Sequence, residues 1–173
     1  MIIDPKHISN REYYTSKLEF QDYNMYDFLK YAINHPTDHA LFNDNKKNLI
    51  LHKMEERRST PSFAKEIIKE LRKTFYKNSI NLHGMVGFTN DSKSHEIHRD
   101  SMDVLYLQVI GEVEWSIWNS DKVIRVFSTK LTPGDTIWIP RGTFHHVKPL
   151  SPRVGFSFGI EGDPEPSEYV NLK

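Results

Sequence analysis

The hydrophobic rhythm of the chain changes near residue 79. Before that point apolar residues recur at helical spacing. Met25, Phe28, Leu29, Ala32 and Ile33 form one stripe, with Asn24 as N-cap and Asn34 to Pro36 as the stop. Phe63, Ala64, Ile67, Ile68, Leu71 and Phe75 form a second, preceded by Thr60 as N-cap and Pro61 as first helical residue. Both stripes read as core-facing. The polar stretch 38–59 reads as a loop with a short strand at Leu49 to His52. After residue 79 the period shortens to two. Strands are predicted at Ile80–Thr89, Asp103–Ile110, Glu112–Trp118, Val123–Ser128, Thr136–Ile139 and Arg153–Ile160, separated by turns such as Asn119-Ser120-Asp121 and Pro133-Gly134-Asp135.

Closely spaced strands without helices between them predict an antiparallel sandwich or barrel. The fold class is therefore mainly β. We expect one domain over residues 1–173, with a helical lead-in at about 1–78 and a β-barrel core at about 79–160. The tail from Glu161 to Lys173, with Gly162, Pro164 and Pro166, reads as a surface segment.

Composition narrows the chemistry. Lysine plus arginine equals aspartate plus glutamate, 23 each, so nucleic acid is not indicated by global charge, although local basic patches fit within a zero sum. Cysteine is absent, which removes disulfides, thiol nucleophiles and Cys-ligated zinc. Any metal must be held by nitrogen and oxygen. No apolar run approaches membrane-spanning length and the start lacks a leader pattern, so a cytoplasmic protein without membrane partners is expected.

The candidate chemistry lies between His98-Arg99-Asp100 and the string GDTIWIPRGTFHH, Gly134 to His146. Two histidines and a carboxylate in this order are the ligand set of a non-haem Fe(II) facial triad, which leaves the opposite positions free for O2 and an organic co-substrate. In an extended strand residues two apart point the same way, so His98 and Asp100 reach one ion together. His145, after the tight sequence Pro140-Arg141-Gly142-Thr143-Phe144, is the candidate third ligand. His146 competes for that place, but neighbours on a strand face opposite sides.

The pattern G-x5-P-x-G-x2-H, met by Gly134, Pro140, Gly142 and His145, resembles the second metal-binding motif of cupins. HRDSMDVLYLQVIGEVEW, from His98, resembles the JmjC-like branch of Fe(II)/2-oxoglutarate oxygenases, where H-x-D is followed by a strand ending in Q-x-x-G and then an aromatic. The resemblance covers roughly residues 79–160. It implies a double-stranded β-helix, or jelly roll, with iron in its mouth and His98, Asp100 and His145 as catalytic metal ligands. It also implies Fe(II) as cofactor, 2-oxoglutarate as co-substrate, O2 as oxidant, and hydroxylation of an unidentified small molecule or protein side chain. His95, three residues before His98, reads as a support behind the ligands, a co-substrate contact or plain surface.

One departure bears on the co-substrate. Many JmjC-like relatives place a lysine or arginine fifteen residues after the first histidine, where it pairs with the distal carboxylate of 2-oxoglutarate; here that position is Val113. Alternation sets Val113, Trp115 and Ile117 against Glu112, Glu114 and Ser116, so Val113 faces inward without charge. Arg153, eight residues past His145, is the preferred substitute cation. On its strand Arg153, Gly155, Ser157 and Gly159 share one face and Val154, Phe156, Phe158 and Ile160 the other; which face points inward stays open. Tyr106, Ser157, His95 and Lys148 are further candidates for the same site. Trp115, Trp118, Trp138 and Phe144 are candidates for the mouth or, more commonly for such residues, for the core.

Three classes follow: an Fe(II)/2-oxoglutarate hydroxylase, a cupin metalloenzyme that does not use 2-oxoglutarate, and a non-catalytic cupin binding module. The complete ligand set favours the first two. A homodimer stays open.

Overall fold

The computed structural model describes residues 3–20, 23–76 and 78–162. Its first part is a lead-in around the short helix α1 (Pro5–Ser9) and strand β1 (Tyr14–Lys17). Helix α2 (Met25–Ile33) follows, then the hairpin of β2 (Ala40–Asn43) and β3 (Asn48–Leu51), and helix α3 (Ser62–Thr74). Seven strands complete it: β4 (Ser79–Gly87), β5 (Asp103–Ile110), β6 (Val113–Trp118), β7 (Arg125–Leu131), β8 (Asp135–Ile139), β9 (His145–Pro149) and β10 (Arg153–Glu161). They form a seven-stranded sheet, β1-β8-β5-β10-β4-β3-β2, facing a three-stranded sheet, β7-β6-β9. Every pair is antiparallel, which is the jelly-roll arrangement expected of a mainly β chain.

The large sheet is covered on both faces, and this decides where the site sits. Its outer face carries Leu105, Leu107 and Val109 from β5 and Val154, Phe156, Phe158 and Ile160 from β10. These pack in one cluster with Ala64, Ile67, Ile68 and Leu71, the i, i+3, i+4, i+7 stripe of α3. Phe63 stacks on Phe156 with centroids 5.7 Å apart, and Phe75 on Trp138 at 5.8 Å. The inner face meets the small sheet through Val104, Tyr106, Val113, Trp115, Ile117 and Leu131. Neither face of β10 is solvated: its apolar residues lie under the helices, and its small residues and Arg153 turn to the barrel interior.

Several local expectations change. The region 38–59 contains the β2–β3 hairpin, not a loop with one strand, and β3 pairs with β4 to extend the large sheet. Four-residue strands are too short to display a period, and the turn is stabilised by the Asn43 side chain accepting from the Lys46 N–H. Residues before 79 thus supply three strands, and the helical share is modest. β1 closes the other edge of the sheet against β8. α2 starts as expected, with Asn24 and Asp27 in a capping box. It buries Phe28 and Tyr31, whereas Leu29 and Ile33 of the expected stripe are exposed. Tyr31 is buried in their stead, its phenol 3.1 Å from His35 Nδ1. α3 begins one residue late: Pro61 is the N-cap, and the Thr60 hydroxyl donates instead to the Met54 carbonyl. β9 was not predicted, and β7 and β8 shift by one to three residues at their ends. The tail from residue 163 lies outside the described residues, and no described helix is long and apolar enough to cross a membrane.

Candidate functional site

His98 and Asp100 do not occupy a strand. His98 makes an isolated bridge with His145, and Asp100 lies in the loop that leads to β5. The two strand-like bonds of that bridge, His98 N–H to the His145 carbonyl at 3.1 Å and the reverse at 2.8 Å, align the two histidines directly. Gly142 N–H donates to the Asp100 carbonyl at 2.9 Å, in a turn where Gly142 takes a φ of 79° that glycine tolerates without strain. His145, and not its strand neighbour His146, joins the group, and it is the loop and not a strand that turns Asp100 towards the two histidines.

A further group secures that turn. Asp103, 1% exposed, accepts the Arg141 N–H at 2.7 Å, and its carboxylate also faces the guanidinium groups of Arg141 at 3.4 Å and Arg11 at 3.6 Å. It joins the H-x-D loop to the turn before His145. The sequence reading did not single it out, because a carboxylate three residues past a ligand has no spacing signature.

The ligand atoms of His98, Asp100 and His145 lie within 4.8 Å of one another. His145 Nε2 is 3.6 Å from Asp100 Oδ2, and His98 Nε2 is 3.9 Å from Asp100 Oδ1. His98 Nδ1 lies 2.8 Å from the Glu96 carbonyl, and His145 Nδ1 2.9 Å from the Thr143 carbonyl. A carbonyl only accepts, so each Nδ1 carries a proton, and in the neutral form of each ring it is Nε2 that presents the lone pair. Two lone pairs and a carboxylate oxygen converge on one point, as a divalent cation with nitrogen and oxygen ligands requires. Burial, the largest influence, pushes the His145 imidazole below its ordinary pKa and favours the neutral, ligating form. His146 pairs across from Ser116 and is not part of this group.

The three side chains open onto a cavity of about 400 Å³ inside the barrel. Of the other candidates, Arg153, Tyr106, Ser157 and His95 all line it. His95 stands edge-on to His98, centroids 5.3 Å apart, and burial lowers its pKa first, with Lys46 and His98 adding to the effect. Arg153 is 4% exposed, and its Nη1 donates to the Tyr106 hydroxyl at 3.2 Å. Among the described residues no carboxylate pairs with it, and its Nε is buried without a partner. Lys148 is exposed and away from the cavity. Trp115 is the one proposed mouth aromatic that lines the cavity, stacked on His145 at 5.3 Å; Trp138 belongs to the core beneath α3, and Trp118 and Phe144 lie off the lining. Val113 is fully buried among the apolar residues between the sheets. Asn81 and His83 on β4 also line the cavity and were not foreseen, because both look like ordinary polar strand residues.

Comparison with known proteins agrees with this architecture. The JmjC domain family model matches residues 63–167. Among solved structures, the Escherichia coli ribosomal oxygenase YcfD in complex with cobalt and 2-oxoglutarate superposes with a TM-score of 0.70 at 13% identity, covering 92% of this chain and 52% of that one. YcfD with cobalt and succinic acid gives 0.68 at 15% identity, covering 95% and 52%. The chain thus spans about half the length of these relatives, and at such identity the likeness is one of fold. No curated protein sequence matches the chain. With the family model covering more than half of its residues, the chain belongs to the JmjC domain family.

Proposed function

We propose that this protein is an Fe(II)- and 2-oxoglutarate-dependent oxygenase that hydroxylates its substrate, with His98, Asp100 and His145 holding the iron. The observation that carries this reading is a cavity with two unlike ends. At one end three ligand atoms converge for a divalent ion; deeper in, the buried guanidinium of Arg153 has no carboxylate partner among the described residues. A buried charge without a counter-charge is costly, and the natural remedy is an anionic ligand. A 2-oxo dicarboxylate has the two matching ends. YcfD, whose fold is similar, holds cobalt and 2-oxoglutarate.

When iron is bound, the oxidation and the conversion of 2-oxoglutarate to succinate and carbon dioxide are the metal's chemistry. The chain's own residues bind and orient. His98 and His145 are held in one tautomer by backbone carbonyls, Asp100 contributes the negative charge, and Arg153 receives the distal carboxylate through a planar fork. Ser157 and His95 line the same cavity and are the side chains available to flank the co-substrate. Asn81 and His83 form the wall left for the substrate, a small molecule or a protein side chain.

Anaerobic addition of Fe(II) and 2-oxoglutarate to the purified protein is expected to produce a visible charge-transfer band, and admission of O2 to release succinate. Bound iron without the band would point to a cupin metalloenzyme that does not use 2-oxoglutarate. Failure to retain any divalent metal would leave a non-catalytic binding module.

A further inference from the structure

Arg153 is not held by a countercharge but by a chain of neutral groups that leads away from the cavity. Its Nη1 donates to the Tyr106 hydroxyl at 3.2 Å; that hydroxyl donates in turn to Gln108 Oε1 at 2.8 Å; and Gln108 Nε2 donates to the Ile110 carbonyl at 2.7 Å. The direction of each bond is determined. The guanidinium only donates, so the phenol oxygen accepts and its proton goes on to Gln108; the Ile110 carbonyl only accepts, so the amide nitrogen of Gln108 must face it. Burial keeps the Tyr106 phenol above its ordinary pKa despite the opposing pull of Arg153, so it retains the proton this chain needs. All three side chains are at most 4% exposed.

The backbone is shaped to receive this chain. Tyr106 and Gln108 are two apart on β5 and point to the same face. Opposite them the register shifts between Val154 and Gly155: Val154 pairs with Ile110, but Gly155 pairs with Gln108, which leaves Val109 as the extra residue of a bulge. Bulges beside functional sites re-aim side chains. The phenol then lies across β10 in the space that a side chain at Gly155 would fill. A Cβ built there would stand 1.9 Å from the Tyr106 hydroxyl and 2.3 Å from the ring carbon that bears it. Gly155 needs no unusual φ; its requirement is for room.

We infer that Gln108, acting through Tyr106 in the hollow left by Gly155, is a positioning residue that presets the Arg153 guanidinium for the distal carboxylate of a bound dicarboxylate. The inference deepens the proposed function and rests on its assignment of Arg153. It also gives a physical role to the glutamine of the Q-x-x-G string. With Val113 in the place of a cation on β6, the anchor comes from β10, and an anchor on that strand needs a support that an apolar β6 neighbour does not provide. Preorganisation is the benefit: a guanidinium already held in place loses less freedom when the anion arrives.

The test is equilibrium binding to the Co(II)-loaded protein, comparing 2-oxoglutarate with 2-oxobutyrate, which chelates a metal alike but lacks the distal carboxylate. Gln108→Leu and Tyr106→Phe are each expected to lower the affinity for 2-oxoglutarate roughly ten-fold or more, with 2-oxobutyrate and Co(II) binding unchanged. Unchanged 2-oxoglutarate affinity in both variants overturns the inference. So does an equal loss for both ligands, since that would signal general damage to the barrel. If Gln108→Leu does not fold, Tyr106→Phe decides alone. A wild-type protein with no preference for 2-oxoglutarate over 2-oxobutyrate would remove the role of Arg153 itself, and the support inferred for it would fall with it.

Discussion

The two ends of the cavity are built by different means. At the metal end the side chains of His98 and Asp100 are about one-third exposed, and their geometry is imposed by backbone bonds: the paired His98–His145 bridge, Gly142 to Asp100, and the two Nδ1 contacts to carbonyls. At the deep end Arg153, Tyr106 and Gln108 are nearly or fully buried, and they are placed by one another's side chains, with the backbone met only at the Ile110 carbonyl. Backbone-imposed geometry is local and tolerates variation in the surroundings. Geometry passed between side chains depends on register, on a bulge, and on the absence of a Cβ. The first can be recognised in a string of residues, whereas the second can move from one strand to another without leaving a string behind.

The largest expected effect is at the metal end. Asp100→Ala removes the only charge in the ligand set and should lower Co(II) or Fe(II) affinity by more than the roughly 10- to 100-fold typical of losing an outer-shell partner. Metal titration of the folded variant checks this; retention of wild-type affinity would mean that the ion is held elsewhere. At the deep end, Arg153→Ala leaves a partly buried carboxylate without its partner, which typically costs about 2 to 5 kcal/mol, or roughly thirty-fold to several thousand-fold in 2-oxoglutarate affinity. Arg153→Lys should restore part of it, because a point ammonium does not reproduce the fork. Metal affinity should be untouched in both, which is the sharpest separation of the two ends.

Gly155→Ala is expected to act on stability as well as on binding. The new methyl displaces the Tyr106 phenol, and overpacking of this kind costs about 1 to 3 kcal/mol, to be read from chemical denaturation. Weakened 2-oxoglutarate binding with normal metal binding should accompany it. A variant as stable as the wild type with full affinity would show that the phenol has another place to go. The smallest effect is expected for His146→Ala, whose side chain lies outside the ligand group: no change in metal affinity and a stability change within about 0.5 kcal/mol. Loss of metal here, with His145→Ala harmless, would reverse the assignment of the third ligand.

The sequence by itself was enough to group His98, Asp100 and His145, and it was so for a physical reason. A tight turn with glycine at positive φ, followed at once by a histidine, places that histidine within a few bonds of the turn, and H-x-D sets two donors side by side whether the segment is a strand or a loop. The α3 stripe and most barrel strands were legible in the same way, because their burial follows a short period. What only the tertiary structure decided depends on which chain segments become neighbours. Both faces of β10 turned out to be buried, which no reading of its alternation distinguishes from one buried face. Three short strands before residue 79 joined the main sheet, β1 and β2 as its two edges and β3 inside β2, since pairing partners and not period made them strands. Asp103, Gln108 and Gly155 acquired their roles only when the turn before His145, the Val109 bulge and the Tyr106 ring were brought against them. Local spacing carries local geometry; a buried network is written across strands far apart in the chain, and becomes readable only once the register is set.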